Sequence, residues 1–348
     1  MKIAIVADKK AGHLSQCLGL RNIIKKYSNE KDIFFLGKDL ISLPGFLERT
    51  LTLLRENLYL FVLRLLNPSV VDHNFDLIIC SGSRTAVPAF LLAKASGAKI
   101  IYIGTPKFRL MKKFDGVVST KQDISSVYKV ITTHLPPTKF DPYDKKRELE
   151  NRSLVLIGGD GSGYDYGEKD WYRLAFEFKN INTTFVNSRR TPKFAWKNLK
   201  ENSGPNHNFL DLEKTPFDRL QEAIDGHSHI FVTADSTSMI VEIITRGFFV
   251  NVVELRGPIK REHHHEVIES FKKKGLLRIL RLNQLQLSDH KYQDKVKEFV
   301  RRVVPTKYEQ GENIAERGRL LIDDEYLTPD QILRFDPFFD KMRPLADK

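Results

Sequence analysis

Cysteine is nearly missing from this chain: Cys17 and Cys80 are the only two among 348 residues. Neither lies in a CxxC or other ligand spacing. A disulfide framework and a structural zinc site are therefore not expected, and a reducing compartment fits. Acidic residues are outnumbered, 44 against 56 lysines and arginines. The resulting net charge of +12 calls for partners that carry negative charge: nucleotides, nucleic acids or anionic lipid surfaces. No apolar run reaches the roughly 18 residues of a spanning helix. The start, MKIAIVADKK, turns polar too early for the h-region of a signal peptide. The expected place is the cytoplasm, with peripheral attachment at the inner face of a membrane left open. Repeats of solenoid period and low-complexity tracts are also absent.

With 41% apolar and 29% charged residues, the chain can build globular cores, and its length suggests two domains. Short apolar runs (KIAIVAD, DIFFLG, DLIICSG, KIIYIG, GVVST) alternate with helical stretches such as Gly19–Tyr27 and Ala86–Ser96. A proline-rich and then charged stretch, THLPPTKFDPYDKKRELENR, interrupts this rhythm, which restarts with SLVLIGG, NTTFVNSRR, HIFVTADS and FFVNVVEL. Helices are expected around Trp171–Lys179, Pro216–Ile224, Met239–Arg246 and Glu262–Lys273. Buried strands alternating with helices imply parallel sheets covered on both faces. The expected fold class is α/β, with two doubly wound Rossmann-like domains facing a central cleft. The expected boundaries are 1–150, 151–327 and a C-terminal tail, 328–348, packing back on the first domain.

Ligands of open parallel sheets bind beyond the carboxyl ends of the strands, so the residues after each strand carry the functional expectations. After the first strand, Asp8, Gly12, His13 and Gln16 lie at a turn into a helix. Gly12 and His13 serve either as turn and cap or as a cleft-facing base. After the third strand, Ser83 and Arg84 form either a surface turn or a positive fork. The loop Gly158, Gly159, Asp160, Gly161 has neither the Lys-Ser/Thr ending of a Walker A loop nor the GxGxxG spacing. It reads as backbone able to wrap a phosphate or sugar. Ser188, Arg189 and Arg190 form either a solvated basic turn or a phosphate contact.

In TADSTSMIVE, Asp235 or Ser236 caps a helix whose first turn also holds Ser238 and Met239. Free N–H groups and hydroxyls there suit a diphosphate. Glu242 lies on the same face, one turn on from Ser238. His263, His264 and His265 are adjacent on a helix and cannot all bind one ion, so a metal site is not expected. His263 or His264, with Lys260 and Arg261, has a more credible use beside a phosphate. The stretch Gly45–Leu66, apolar but interrupted by Arg49, Arg55 and Arg64, is an amphipathic helix either packed on its own domain or lying on an anionic membrane.

In order along the chain stand Gly12-His13-x-x-Gln16-x-x-Gly19-Leu20, Ile157-Gly158-Gly159-Asp160, Ser188-Arg189-Arg190-Thr191-Pro192, Gly204-Pro205-Asn206 and Thr233-Ala234-Asp235-Ser236-x-Ser238-Met239-x-x-Glu242. Over about residues 1–280 this set resembles the ELM1 family, named after a plant mitochondrial fission factor and also widespread in bacteria. The resemblance implies the GT-B glycosyltransferase architecture, with the donor in the second domain, a helix N-terminus at the diphosphate and a glutamate at the ribose. It implies a nucleotide-sugar substrate and no cofactor. Thr105-Pro106-Lys107 and Ser119-Thr120-Lys121-Gln122-Asp123 depart from the family pattern in the acceptor domain.

The expectation is a metal-independent transferase with His13 or Asp8 as base. Its partners would be a nucleotide sugar and a lipid-linked acceptor or anionic membrane surface, with no specific nucleic acid. A non-catalytic membrane adaptor and a nucleotide-sugar epimerase or hydrolase are the rival readings.

Overall fold

A computed structural model describes residues 1–8, 10–25, 32–37, 75–106, 111–120, 130–143, 150–159, 163–256, 263–282, 290–303, 321–322 and 325–326. The Gly45–Leu66 stretch, the tail 328–348, Asp160, Gly161, Lys260 and Arg261 lie outside the described residues, as do the side chains of His263 and His264. Two compact units emerge, one holding Met1–Phe140 and the other Asp141–Arg302.

The first unit runs β1 (Lys2–Ala7), α1 (Ala11–Lys25), β2 (Asp32–Gly37), β3 (Leu77–Ser81), α2 (Ala86–Ser96), β4 (Lys99–Ile103), β5 (Gly116–Ser119) and β6 (Val130–Thr132). Its strands form one parallel sheet in the order β2-β1-β3-β4-β5-β6. The period of two along β1 sorts the core. Ile3 and Ile5 pack with Cys17, Leu20 and Ile24 of α1, while Ala4 and Val6 join Ala89, Phe90 and Leu92 of α2 on the other face. Each fully buried Ile or Leu contributes about 1.5–3 kcal/mol relative to exposure. Buried on most sides, α2 ends at Gly97, whose φ of 70° is the left-handed conformation that lets a helix stop.

The second unit continues with β7 (Glu150–Leu156), α3 (Glu168–Phe178), β8 (Thr183–Val186), α4 (Lys193–Glu201), β9 (His207–Leu210), α5 (Phe217–Gly226), β10 (His227–Thr233), α6 (Thr237–Thr245), β11 (Val250–Glu254), α7 (His263–Lys273), β12 (Leu277–Arg281) and α8 (His290–Val303). Its parallel sheet has the order β12-β11-β10-β7-β8-β9. Counted from its own first strand this is 3-2-1-4-5-6, the dinucleotide-fold order. Phe178, Phe185 and Phe231 meet edge to face at its centre, with centroids 5.1–5.9 Å apart.

Topology locates the crevices. In the first sheet the chain reverses direction between β1 and β3. In the second it reverses between β7 and β10. Adjacent loops diverge to opposite faces at such a point, leaving a gap at the carboxyl ends of the two strands. In the first unit that gap is flanked by Asp8 to Gln16 and by Ser81 to Arg84. In the second it is flanked by Gly158 and Gly159 and by Asp235 and Ser236.

Candidate functional site

At the first crevice, Asp8 follows β1 directly and its carboxylate lies 2.9 and 3.0 Å from Nδ1 of His13. The same carboxylate accepts the Lys10 N–H at 3.0 Å. The Asp8 side chain is 6% exposed and the His13 ring 26%. With Nδ1 engaged by the acid, Nε2 is the imidazole nitrogen left for chemistry. The ring lies against Gly82: a Cβ there would come within 2.5 Å of His13 Cε1, and Gly82 has φ +97°. One helical turn on, Gln16 accepts the Ser81 hydroxyl at 2.6 Å. A further turn on, a Cβ at Gly19 would meet the Thr138 backbone at 2.5 Å. His13, Gln16 and Gly19 thus use the i, i+3, i+6 face of α1 for three neighbours. Gly12 sits in the first turn of α1, and Ser83 and Arg84 are exposed. Thr105 and Ser119, at the ends of β4 and β5, lie 3.3 Å apart through their hydroxyls.

The second crevice is organised by Asp235. Its Oδ2 accepts the Gly159 N–H at 2.9 Å and pairs with Arg190 Nη2 at 2.7 Å. Oδ1 is buried and has no hydrogen-bond partner. Burial pushes the Asp235 acid up to about 6, against Arg190, Thr233 and the Gly159 N–H, which pull it down. The Gly158 N–H goes to Thr233 Oγ1 at 2.8 Å. The Gly158 carbonyl takes the hydroxyls of Ser188 (2.7 Å) and Thr191 (2.8 Å). A Cβ on Gly158 would stand within 2.6 Å of the Asp235 carboxylate, and one on Gly159 within 2.5 Å of the Arg190 carbonyl carbon. These two glycines are therefore required by close packing, whatever else the loop does. Tyr164 and Tyr166, both buried, follow the loop. Burial first, then the charges of Glu254 and Asp235, raises both phenols well above their usual range.

The helix expected after Asp235 begins at Thr237, with Ser236 in the capping position, but Ser236 makes no side-chain capping hydrogen bond. First-turn N–H groups have no acceptor within their own helix, and here the Ser236 hydroxyl does not supply one. Ser238 is exposed, Met239 and Glu242 are half-buried, and Ile240, Val241, Ile243 and Ile244 are buried. Ser188 points its hydroxyl inward, whereas Arg189 and Arg190 are exposed. Sequence reading did not foresee the parts played by Thr191 and Thr233. Their signal was their position at the last residue of a strand or within a turn, where a hydroxyl can satisfy a neighbouring strand's backbone.

Among the described residues no helix is long and apolar enough to cross a membrane. Solved structures share the fold. Os79 from O. sativa, in complex with UDP, matches with a TM-score of 0.55 at 9% identity, over 89% of this chain and 97% of that one. A UDP-N-acetylglucosamine 2-epimerase candidate from Listeria monocytogenes gives 0.51 at 11% identity over 86% of each chain. The glycotransferase of kitacinnamycin gives 0.50 at 13%, over 86% and 94%. At these identities the likeness shows the fold alone, and that fold is GT-B-like. A candidate serine/threonine-protein kinase, R400 of Acanthamoeba polyphaga mimivirus, is 42% identical over 50 residues. That stretch spans 14% of this chain and only 11% of the kinase, too little of either to bear on fold or activity. The sequence profile of the mitochondrial fission ELM1 proteins matches residues 11–303, and the chain belongs to that family.

Proposed function

We propose that the protein is a GT-B glycosyltransferase that takes a sugar from a nucleotide-activated donor. The observation that carries this reading is the second crevice. At the switch point of a 3-2-1-4-5-6 sheet, the start of α6, where Ser236 makes no side-chain cap, meets an arginine and a glycine loop. Backbone N–H groups at a helix start favour phosphate oxygens, and a guanidinium can hold them in a fork. In this reading the diphosphate sits at Ser236 to Met239, with Arg190 and Arg189 beside it, and Glu242 holds the ribose hydroxyls. Charge on the departing diphosphate is stabilised by these fixed dipoles and cations. The complex of Os79 with UDP is in keeping with such a donor.

In the first unit, His13 is the base in this reading. Its Nε2 takes the proton of an acceptor hydroxyl while Asp8 fixes the ring and favours the imidazolium that forms. The acceptor we infer is a membrane-associated glycolipid or lipopolysaccharide-type molecule. The support is the +12 charge and the basic amphipathic stretch Gly45–Leu66.

The test is a titration of the purified protein with UDP-, GDP-, ADP- and CMP-sugars, followed by turnover with and without lipid acceptors. Binding lost on Glu242→Ala and turnover only with acceptor support the transferase. Donor consumed without acceptor would assign an epimerase or hydrolase. No binding of any donor by folded protein would leave the non-catalytic adaptor.

A further inference from the structure

Asp235 is placed unlike a ligand-binding acid. Its side chain has no exposure at all, while the Arg190 side chain paired with it is 40% exposed. The carboxylate is fixed by the Gly159 N–H and by the backbone of Gly158 packed against it. Arg190, by contrast, borders solvent, and its contacts include the 2.7 Å ion pair and a 3.5 Å approach to the Asp235 carbonyl. The acid is enclosed, and the arginine reaches it from an exposed turn. One carboxylate thus joins the loop after β7, the turn after β8 and the start of α6.

We propose that Asp235 is a positioning residue that holds Arg190 ready beside the anion seat and gives it up to the phosphates of a bound nucleotide sugar, taking up a proton from solvent as it does so. This rests on the donor-binding reading above. The groups facing Asp235 are Arg190 after β8, the Thr233 hydroxyl in β10, the Gly159 N–H after β7, and the Tyr164 and Tyr166 phenols beyond that loop. Of these, Arg190 alone is a cation. When its guanidinium turns to a phosphate, the buried carboxylate loses its counter-charge and gains a second anion nearby. Oδ1, the oxygen without a donor, is where the proton then sits. The Gly159 N–H stays on Oδ2, so the loop keeps its place through the exchange.

The experiment is calorimetric titration of the intact protein at near-neutral pH in two buffers of different ionisation enthalpy. The probes are UDP-N-acetylglucosamine, GDP-mannose and ADP-glucose, whose diphosphate diesters do not titrate in that range. Uptake of roughly one proton per bound nucleotide sugar is expected. Asp235→Asn should still bind, with uptake falling to near zero. Arg190→Gln should weaken binding about ten- to a hundredfold, the scale of one charged hydrogen bond, and also abolish the uptake, since its acid is already neutral. Binding without buffer dependence, or unchanged uptake in either variant, would overturn the proposal while leaving the donor site standing. Failure of all three probes to bind removes the donor reading and this inference together, a distinct result.

Discussion

Replacing Gly158 by alanine tests the packing of the second crevice most directly. The added Cβ would stand 2.6 Å from both Cγ and Oδ1 of Asp235, where ordinary contact begins at 3.4 Å. The neighbours leave little relief, because Gly158 is held by the Thr233 hydroxyl and by Ser188 and Thr191 on its carbonyl. The carboxylate must therefore retreat from the Gly159 N–H and from Arg190. A buried N–H left without a partner costs about 1–3 kcal/mol. The Arg190 side chain is 40% exposed, so solvent screens the weakened ion pair, which adds about 0–1 kcal/mol. About 1–4 kcal/mol is expected in total, against a typical global stability of about 5–15 kcal/mol. Urea unfolding followed by far-ultraviolet dichroism reads this as a lower midpoint at unchanged slope. The decisive comparison adds Gly158→Ala to an Asp235→Ala background, where the obstructing carboxylate is gone. There the added methyl should cost less than about 1 kcal/mol, a strongly non-additive cycle. Equal penalties in the two backgrounds, or a single variant within about 0.5 kcal/mol of the parent, would refute the steric account.

Asp235 also gives a pH signature. Its folded-state value of about 6 lies above the ordinary value of 3.8 for this side chain, so the native state binds the proton more tightly than the unfolded chain. This group's contribution to stability is therefore greatest in acid and is lost as pH rises from about 4 through about 6, by roughly 3 kcal/mol at about 1.36 kcal/mol per unit. The difference in unfolding free energy between parent and Asp235→Asn should trace that fall, and a flat difference would contradict it. His227 runs the other way. Burial lowers its pKa despite the Ala223 carbonyl, so it destabilises the fold as pH drops below its ordinary value, and His227→Gln should unfold at lower pH than the parent in an acid titration. Arg246 makes a two-pronged pair with Asp225 and also donates to the Asp141 carbonyl at 2.8 Å. Arg246→Met, which leaves that nearly buried acid alone, should cost about 3–5 kcal/mol in thermal unfolding. For the proposed transfer reaction, Asp8→Asn should lower kcat by roughly two to four orders of magnitude with little change in donor KM. Unchanged kcat would remove the dyad from the chemistry.

Central strands were legible because a parallel strand buried on both faces is a continuous apolar run, as in KIAIVA and LIICS. What escaped notice lies at sheet edges or on polar faces. HNFL of β9 is half exposed, and β6 is three residues long. β12, LRILR, carries arginines at its second and fifth positions at the far edge. Helix α1 starts at Ala11, eight residues before the expected Gly19. Leu14, Cys17 and Leu18 carry its apolar stripe into the core, but Gly12, His13, Ser15 and Gln16 around them read as a polar turn. In the candidate site, the positions of Ser236, Ser238 and Glu242 on one helix start followed from capping and spacing alone. The reason for Gly158 and Gly159 did not, since the atoms that forbid a side chain there belong to Asp235 and Arg190, far along the chain.

The burial of α6 bears on how a bound ligand can be detected. With Ile240, Val241, Ile243 and Ile244 all packed inside, the amides past its first turn should already exchange with solvent at rates near the global unfolding limit, where no ligand can be singled out locally. The amides of Thr237, Ser238 and Met239, outside the helical ladder, are free to exchange quickly until something accepts them. In a deuterium-exchange experiment an anion at this helix should therefore appear as sharp slowing at those positions, with the rest of α6 silent.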